Sequence, residues 1–426
     1  MGGPSGPFFG LDLTWFTMMV YREDQAEIDV LGAPLELPCG VVLPNRLVKA
    51  AMSDSLGDGQ GSPTDGQLRL YERWLDGGAA LAIIGEVQVD ARYPEKPGNL
   101  VLDGSASEPD LRRLAGLGGG NRGHLWPQLG HAGALAHQPI SHPAGPSALD
   151  VEGLTCTELS RVDVEELPAT YANAARRALD AGFTGVEVHA GHGFLLSQFL
   201  SPLFNHRIDR YGGSIESRCR ILLDIVHRVR AETGAGFAIG VKINATDQLE
   251  GGLTEVDALA AIELLGQTSV DVIDISGGTY FPGAASSSDR VSAGPYFADF
   301  ARNARTVTGS ALMLSGGVKT RRQAAQLVAD GAVDLVGLAR TMVLDPALAS
   351  TWLGPDSTDP DFPAFVSPPT GGVTAWYTMR MTAIAEDREQ SFNPTLAEAV
   401  AEYDSRDAHR VAGWKAKFRP APPAGQ

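Results

Sequence analysis

The chain has 426 residues, of which 43% are hydrophobic and 20% charged, a balance that supports a large buried core and excludes a disordered protein. A formal net charge of −17 disfavours nucleic acid as a partner, and no apolar run reaches the roughly 18 residues of a membrane span. Three separated cysteines without C-x-x-C spacing indicate a reduced, cytoplasmic protein, so we expect small-molecule partners and leave homo-oligomerisation open.

The first segment, residues 1–34, is predicted to be an N-terminal arm in which disorder is possible. Its apolar part lacks the basic flank of a secretion signal and is followed by acidic residues, which makes Met18 or Met19 a candidate true start. Directly after the arm, the run Leu37–Leu43 is typical of a short hairpin, which we expect at the floor of the fold.

From about residue 36, short apolar runs alternate with amphipathic helical stretches, the pattern of repeated βα units. One of these helices is predicted to begin with a capping box formed by Asp163 and Glu166. Eight units indicate a (β/α)8 barrel of the α/β class over residues 35–354, followed by a linker and a C-terminal helical extension over 355–426. The predicted strands are Leu47–Met52, Leu81–Val87, His124–Leu129, Gly185–Ala190, Phe237–Asn244, Val272–Ser276, Ala311–Ser315 and Leu335–Arg340.

The fourth predicted strand leads into two histidines three residues apart, His189 and His192. Barrel enzymes carry their chemistry at the C-terminal ends of strands, where this pair could direct two donors at one carbonyl or nitro oxygen. A zinc site is one alternative, but no further cluster of His, Asp or Cys completes it, and we predict no metal. The other alternative, a purely structural role for the histidines, stays open.

The sequence around this pair is long and specific. After H-x-x-H it continues with L-L-x-Q-F-L-S-P over 195–202 and with N-x-R-x-D-x-Y-G-G-S over 205–214. In these motifs the chain resembles the old yellow enzyme family, from about Leu35 to Leu353. The resemblance implies a TIM barrel that binds FMN non-covalently, uses NAD(P)H as a transient reductant and transfers hydride to an activated, enone-like alkene.

The resemblance also implies a flavin pocket at the strand ends. Ser53 matches the residue that hydrogen-bonds the flavin C4 carbonyl, and Gln128 matches the amide that binds the pyrimidine edge. Lys242, where the family more often has arginine, would stabilise negative charge near flavin N1. Glycines after strands seven and eight would let backbone N–H groups reach the phosphate, with Arg340 beside them. The predicted flavin-binding set is Ala50, Ala51, Met52, Ser53, Glu86, Gln128, Lys242, Gly316, Gly317, Ala339 and Arg340.

One position departs from the family pattern. Two residues after the second histidine the family has a tyrosine that donates a proton, whereas this chain has Phe194. Tyr280 or Tyr93 could replace it, so we predict His189, His192 and Tyr280 as catalytic residues, with Phe194 and Tyr93 added for substrate binding. The departure keeps open a flavin-dependent desaturase, aromatase or isomerase acting on a small cyclic substrate. Two further hypotheses do without a flavin: a phosphate-binding barrel lyase that uses Lys242, and a scaffold without activity.

Overall fold

The structure, a computed structural model, describes residues 24–119, 122–151, 153–281, 284 and 294–418. Most of the predicted N-terminal arm, including both candidate start methionines, lies outside these residues. The described part of the arm forms a helix, α1, over 24–32. Arg321 holds this helix, because its guanidinium pairs with Glu27 at 2.7 Å and also contacts Asp24.

The strands form a closed parallel barrel, which confirms the predicted fold. Eight strands pair in the order β3-β14-β13-β12-β11-β10-β6-β4, and β4 returns to β3. The predicted eighth strand was two residues too long, because the chain turns at Ala339 and Arg340 already begins a helix. The strands are β1 Leu35–Glu36, β2 Val42–Leu43, β3 Leu47–Ser53, β4 Leu81–Gln88, β5 Leu100–Val101, β6 His124–Gly130, β7 Ala144–Gly145, β8 Leu149–Val151, β9 Leu154–Glu158, β10 Gly185–Ala190, β11 Ala238–Asn244, β12 Val272–Ser276, β13 Ala311–Ser315 and β14 Leu335–Leu338.

Helices cover the outside of the barrel and follow its strands. The capping box of α4 is formed by Ser160 and Asp163, not by Asp163 and Glu166 as predicted, because the serine hydroxyl lies one turn earlier and accepts from the Asp163 N–H. The remaining helices are α2 Asp65–Asp76, α3 Glu108–Ala115, α4 Arg161–Ala181, α5 Leu195–Leu200, α6 Ile215–Thr233, α7 Glu255–Gly266, α8 Ala298–Arg305, α9 Arg321–Ala329, α10 Arg340–Leu344, α11 Leu348–Trp352, α12 Gly372–Ala385 and α13 Leu396–Phe418.

The N-terminal end of the barrel is closed by an apolar group of side chains, which we call the floor. The predicted hairpin is present as the antiparallel pair β1 and β2, and Leu37 in its turn is buried. The hairpin packs on side chains from the beginnings of the barrel strands. The buried members of the floor are Leu37, Leu43, Val48, Ala80, Leu81, Ile83, Trp126, Ala238, Val272, Met313 and Leu335.

The C-terminal helices, which the sequence also predicts, pack on the barrel. Helix α12 contacts both α2 and α13. Helix α13 reaches loops that follow β3 and β4: Asp407 accepts a hydrogen bond from Ser55 at 3.2 Å and lies 3.6 Å from the Lys96 Nζ. These contacts bring α13 to the C-terminal end of the barrel. No helix in the described part of the chain is long and apolar enough to cross a membrane.

Candidate functional site

A cavity of about 480 Å³ lies at the C-terminal ends of the barrel strands, where barrel enzymes place their chemistry. Its volume is within the range of small-molecule and cofactor sites, roughly 300–1,000 Å³. Most of the residues singled out from the sequence line it. They are Ala50, Ala51, Met52, Ser53, Glu86, Gln128, His189, His192, Phe194, Lys242, Tyr280, Gly316, Ala339 and Arg340.

Two residues from the predicted set do not line this cavity. The Tyr93 ring stacks on His131 with 4.5 Å between ring centroids and packs against the apolar cluster that contains Phe194. Gly317 is packed against backbone: a Cβ at this position would lie 2.4 Å from the Gly294 oxygen. The structure therefore places Tyr93 outside the cavity lining, beside the cluster of Phe194, and Gly317 beneath the loop that precedes α8.

The two histidines are hydrogen-bonded to each other. His189 Nε2 lies 3.1 Å from His192 Nδ1, and His192 Nε2 lies 2.9 Å from the Ser276 hydroxyl. His192 has a left-handed backbone, with φ of +58°, and its N–H donates to the Asn244 side chain at 3.0 Å. At its other nitrogen, His189 Nδ1 contacts the carboxylate of Glu86. The turn after β10 thus holds both rings in one chain of polar contacts.

Both imidazoles are neutral near pH 7. Burial, with a smaller contribution from the Lys242 charge, lowers the pKa of His189 to about 3. Burial also lowers the pKa of His192 well below its usual value. A neutral imidazole carries one N–H, so each ring donates through one nitrogen and accepts through the other.

A buried cation lies beside the histidines. Lys242 on β11 pairs with Asp274 on β12, and Asp274 also accepts a hydrogen bond from Ser315 at 2.8 Å. Burial opposes the charge of Lys242, but Asp274 and Glu187 outweigh it and raise the lysine pKa. The carboxyl group of Glu187 accepts from the Gln128 amide, and burial raises the pKa of Glu187 to about 8. The strand ends therefore present a charged lysine next to acids, at least one of which is protonated near neutral pH.

Ser53 has a partner that the sequence did not suggest. Its hydroxyl donates to Glu95 at 2.7 Å, and Asn99 contacts the same carboxylate oxygen at 3.3 Å. Burial raises the pKa of Glu95 to about 7, with a further upward contribution from Glu86. A carbonyl placed at Ser53 would have to share the hydroxyl hydrogen with Glu95, which itself lines the cavity.

Gly316, which directly follows β13, lines one end of the cavity. Gly316 has φ of +123°, and a Cβ there would approach the Tyr296 ring to 3.2 Å. Arg340, the first residue of α10, lies with its guanidinium carbon 5.8 Å from the centre of the Tyr377 ring. This end therefore combines accessible backbone with an arginine, a combination suited to a phosphate group.

Phe194 and Tyr280 form the aromatic side of the histidine pair. Phe194 is buried, with its ring centre 5.0 Å from that of His189. Tyr280 is 58% exposed, and its ring centre lies 6.0 Å from His192 and 5.9 Å from Phe194. The hydroxyl of Tyr280 is thus the phenol that this part of the cavity offers in place of the missing tyrosine.

Sequence reasoning missed the far side of the cavity, which we call the C-terminal wall. It consists of Tyr377 on α12 and Tyr403 on α13. Lys96 joins the wall to the loop after β4, since its Nζ lies 5.0 Å from the centre of the Tyr403 ring. Local patterns showed that these segments are helical, but nothing in them indicates that they dock at the barrel mouth.

The lining matches the groups of a flavin mononucleotide. Its polar groups are strand-end backbone at 50–53, the Gln128 amide, the Lys242 ammonium group, and the Gly316 backbone beside Arg340. Because Gly316 has no side chain to crowd the Tyr296 ring, its backbone is the place where a phosphate could approach. The residues present therefore fit the cofactor. For a metal ion, the described residues contain no group of three or more His, Cys, Asp or Glu side chains that could hold one.

Known proteins resemble the chain over the barrel. NADH-dependent flavin oxidoreductase iliE of Neonectria sp. (strain DH2) is 36% identical over 365 residues, which cover 77% of this chain and 48% of the relative. The protein of the same name from Hypocrea jecorina (strain QM6a) is 35% identical, with 75% of this chain and 87% of the relative covered. The solved structure of morphinone reductase in complex with tetrahydroNAD has a TM-score of 0.66 at 25% identity, covering 78% of this chain and 92% of that one.

The chain thus spans about half the length of the Neonectria relative, 48%, and most of the Hypocrea one. The model of the NADH:flavin oxidoreductase / NADH oxidase family matches residues 31–352. This range contains every barrel strand and agrees with the resemblance found in the motifs that follow β10. The chain belongs to the NADH:flavin oxidoreductase / NADH oxidase family.

Proposed function

We propose that the protein is an FMN-dependent oxidoreductase that transfers hydride from NAD(P)H to an activated, enone-like alkene. The observation that carries the proposal is the cavity itself, in which two neutral imidazoles, a buried lysine and the Gly316–Arg340 end line one space. The family assignment, and relatives named as NADH-dependent flavin oxidoreductases, support the same conclusion.

The strand ends would hold the cofactor without a covalent bond. Gln128 would bind the pyrimidine edge, Lys242 would lie near N1, and Arg340 with the Gly316 backbone would bind the phosphate. None of the cysteines, Cys39, Cys156 and Cys219, lines the cavity. When bound, FMN would supply the chemistry of accepting a hydride and passing it to the substrate.

The protein's own groups would prepare the substrate. The histidine pair, together with the Ser276 hydroxyl bonded to His192, would hold a carbonyl or nitro oxygen by hydrogen-bond donation, which withdraws electrons from the conjugated alkene and stabilises the negative charge that develops on the oxygen. Phe194 would pack beside the ring of a cyclic substrate. Tyr280 is the candidate that protonates the α carbon, since its phenol lies against both His192 and Phe194.

The proposal is tested on the purified holoenzyme. We expect acid or heat to release all of the flavin as FMN, NADH or NADPH to bleach its absorbance anaerobically, and 2-cyclohexenone to restore it. Colour retained in the precipitate would contradict the non-covalent FMN site. Absence of flavin, or bleaching by neither nicotinamide, would overturn the proposed function as a whole.

Phe194 favours a second candidate, a desaturase, aromatase or isomerase of a small cyclic substrate. Such an enzyme has no need for a proton donor at this position, and an added hydroxyl there would be buried without a partner, at a cost of about 1–3 kcal/mol. The Phe194→Tyr variant separates the two. For an ene-reductase, re-oxidation of the flavin by the enone should accelerate, because a positioned general acid is worth about 10²–10⁴-fold. For a desaturase, oxidative turnover should fall or stay the same.

The matched variant is Tyr280→Phe, which removes the phenol that we propose as the donor. For an ene-reductase it should slow enone-driven re-oxidation and leave reduction by the nicotinamide unchanged.

The lyase alternative is disfavoured by the ion pair of Lys242 with Asp274, since a lysine that forms a Schiff base must be neutral.

A further inference from the structure

We propose that Glu86 is a positioning residue that sets the tautomers of both histidines, and that loss of its proton converts the Ser276 hydroxyl, at the cavity end of their contact chain, from a hydrogen-bond donor into an acceptor. This goes beyond the flavin-contacting role expected for Glu86 from the resemblance. Its consequence for substrate depends on the proposed function, whereas the tautomer switch itself depends only on the protein.

Four side chains form one continuous chain of contacts. Glu86 at the end of β4 contacts His189 Nδ1, and His189 Nε2 lies 3.1 Å from His192 Nδ1. His192 Nε2 lies 2.9 Å from the Ser276 hydroxyl at the end of β12. Glu86 and His189 are at most 4% exposed. Three of the four ring nitrogens are hydrogen-bonded inside this chain, and the fourth, His189 Nδ1, contacts Glu86 without ordinary hydrogen-bond geometry.

Counting hydrogens allows two arrangements when both rings are neutral. If Glu86 is protonated, it donates to His189 Nδ1, His189 Nε2–H donates to His192 Nδ1, and His192 Nε2–H donates to the Ser276 oxygen. The Ser276 hydrogen is then free to point into the cavity. If Glu86 is ionised, each hydrogen bond runs in the opposite direction: Ser276 donates to His192, His192 Nδ1–H donates to His189, and His189 Nδ1–H donates to the carboxylate.

The two arrangements differ by one proton, which leaves the chain of contacts for solvent. In the first, both rings carry hydrogen on Nε2 and the cavity end of the chain donates. In the second, both rings carry hydrogen on Nδ1 and the cavity end offers only lone pairs. A substrate oxygen is attracted by the first arrangement and repelled by the second.

The surroundings of Glu86 decide which group carries the proton. Lys242 on β11 favours the ionised carboxylate, as does Gln88 on its own strand, but burial outweighs both and raises the pKa of Glu86 to about 8. His189 on β10 does not take the proton, because burial lowers its pKa to about 3. The other groups whose charge interacts with Glu86 are Glu95 after β4, Tyr171 on α4 and Tyr280 after β12. The switch is therefore expected within the range of pH in which the protein can be studied.

The direct test is nitrogen-15 NMR of the histidine rings in the FMN-loaded protein between pH 6 and pH 10, with peaks assigned from His189→Gln and His192→Gln. We expect both rings to stay neutral and to exchange Nε2–H for Nδ1–H together, at one pH near 8. Retention of one tautomer by either ring across this range would overturn the proposal, and so would protonation of both nitrogens of a ring.

Two variants assign the switch to its carboxyl group. Glu86→Gln can still donate to His189 through its amide but does not titrate, so both rings should keep Nε2–H at every pH. The matched control is Glu187→Gln, another buried acid, which lies on the same strand as His189 and whose pKa is also raised to about 8. Glu187→Gln should keep the switch. If Glu187→Gln abolished the switch and Glu86→Gln retained it, the switch would belong to Glu187 and the proposal would be wrong.

A binding measurement then separates this inference from the proposed function. 2-Cyclohexenone does not titrate in this range, so its dissociation constant for the oxidised holoenzyme reports on the protein alone. We expect affinity to fall about three- to tenfold from pH 7 to pH 9, the size of one lost hydrogen bond, and to stay constant in Glu86→Gln. If the tautomers switch but the enone does not bind, the proposed substrate class fails and the role of Glu86 stands.

Discussion

The two ends of the same barrel differ sharply in chemistry. Trp126 belongs to the apolar floor, and Gln128, two residues further along β6, lines the cavity and contacts Glu187. The same change occurs along β12, from Val272 in the floor to Asp274 in the ion pair. Because side chains two residues apart on a strand point to the same face, the barrel interior changes from apolar to charged within one step.

This difference separates stability from function. Apolar side chains in the floor stabilise the barrel by burial. Buried acids and the lysine at the mouth are costly to desolvate and contribute little to stability, but they determine the charge and hydrogen-bonding of the cavity. Changes at the two ends should therefore affect different measurements.

The largest effect should come from the floor. Trp126 is 1% exposed and also donates to Thr184 at 3.0 Å. Trp126→Ala should lower the free energy of unfolding by about 3–5 kcal/mol, because it leaves a cavity in a packed cluster. Chemical denaturation measures the loss. Flavin content and the rate of reduction by NAD(P)H, measured on the folded fraction, should not change; a loss of both would show that floor and mouth are coupled.

The next effect should come from the mouth. His192→Ala should slow enone-driven re-oxidation by about 10²–10³-fold, the usual result of losing one donor to a developing oxyanion. Its FMN content should remain near that of the parent. His227→Ala, on the exposed face of α6, is the control and should change neither quantity. Equal effects of the two substitutions would argue that His192 is structural.

A smaller effect concerns the stability cost of the buried acids. Glu187 has a pKa of about 8 in the folded protein, above its usual value of 4.5, so the folded state holds this proton more tightly than the unfolded state. The contribution of Glu187 to the free energy of unfolding is therefore fully present at low pH. It is lost as pH rises from about 4.5 to 8, by at most about 1.4 kcal/mol per pH unit. Glu187→Gln should flatten the decline in unfolding free energy between pH 6 and pH 7. Exposed Glu166→Gln should leave it as steep.

The smallest effect tests the link between Ser53 and Glu95. The hydroxyl of Ser53 stabilises the ionised carboxylate, so Ser53→Ala should raise the pKa of Glu95 above its value of about 7. One hydrogen bond is worth about 0.5–1.5 kcal/mol, which corresponds to a shift of up to about one pH unit. The pH profile of enone-driven re-oxidation would report the shift. Glu95→Gln should remove that ionisation, and its persistence would assign it to another group.

The barrel could be predicted because each of its parts has a local pattern. Alternating apolar strands and capped helices predict the eight βα units, and most of the site residues predicted at the strand ends line the cavity. The errors were local as well. Arg340 was read as the end of a strand because the apolar run continues toward it, whereas the chain turns at Ala339.

The rest of the site depends on contacts between distant segments. Glu95, Tyr377 and Tyr403 lie at the cavity because a loop and two helices dock there, and no spacing along the chain encodes that docking. The contact between Glu86 and His189 has the same origin, since it joins two strands that are not adjacent in the barrel. Motifs identify which strand ends matter, but they do not show which side chains meet between them.

The C-terminal wall also has a consequence for the order of assembly. Tyr377 and Tyr403 follow every barrel strand in the chain, so a growing polypeptide can close its barrel before either residue is available. During synthesis, domains generally fold from the N-terminal side as the chain emerges. We therefore expect the nascent protein to pass through a stage with a formed barrel and an uncovered mouth, before α13 docks through the hydrogen bond between Asp407 and Ser55.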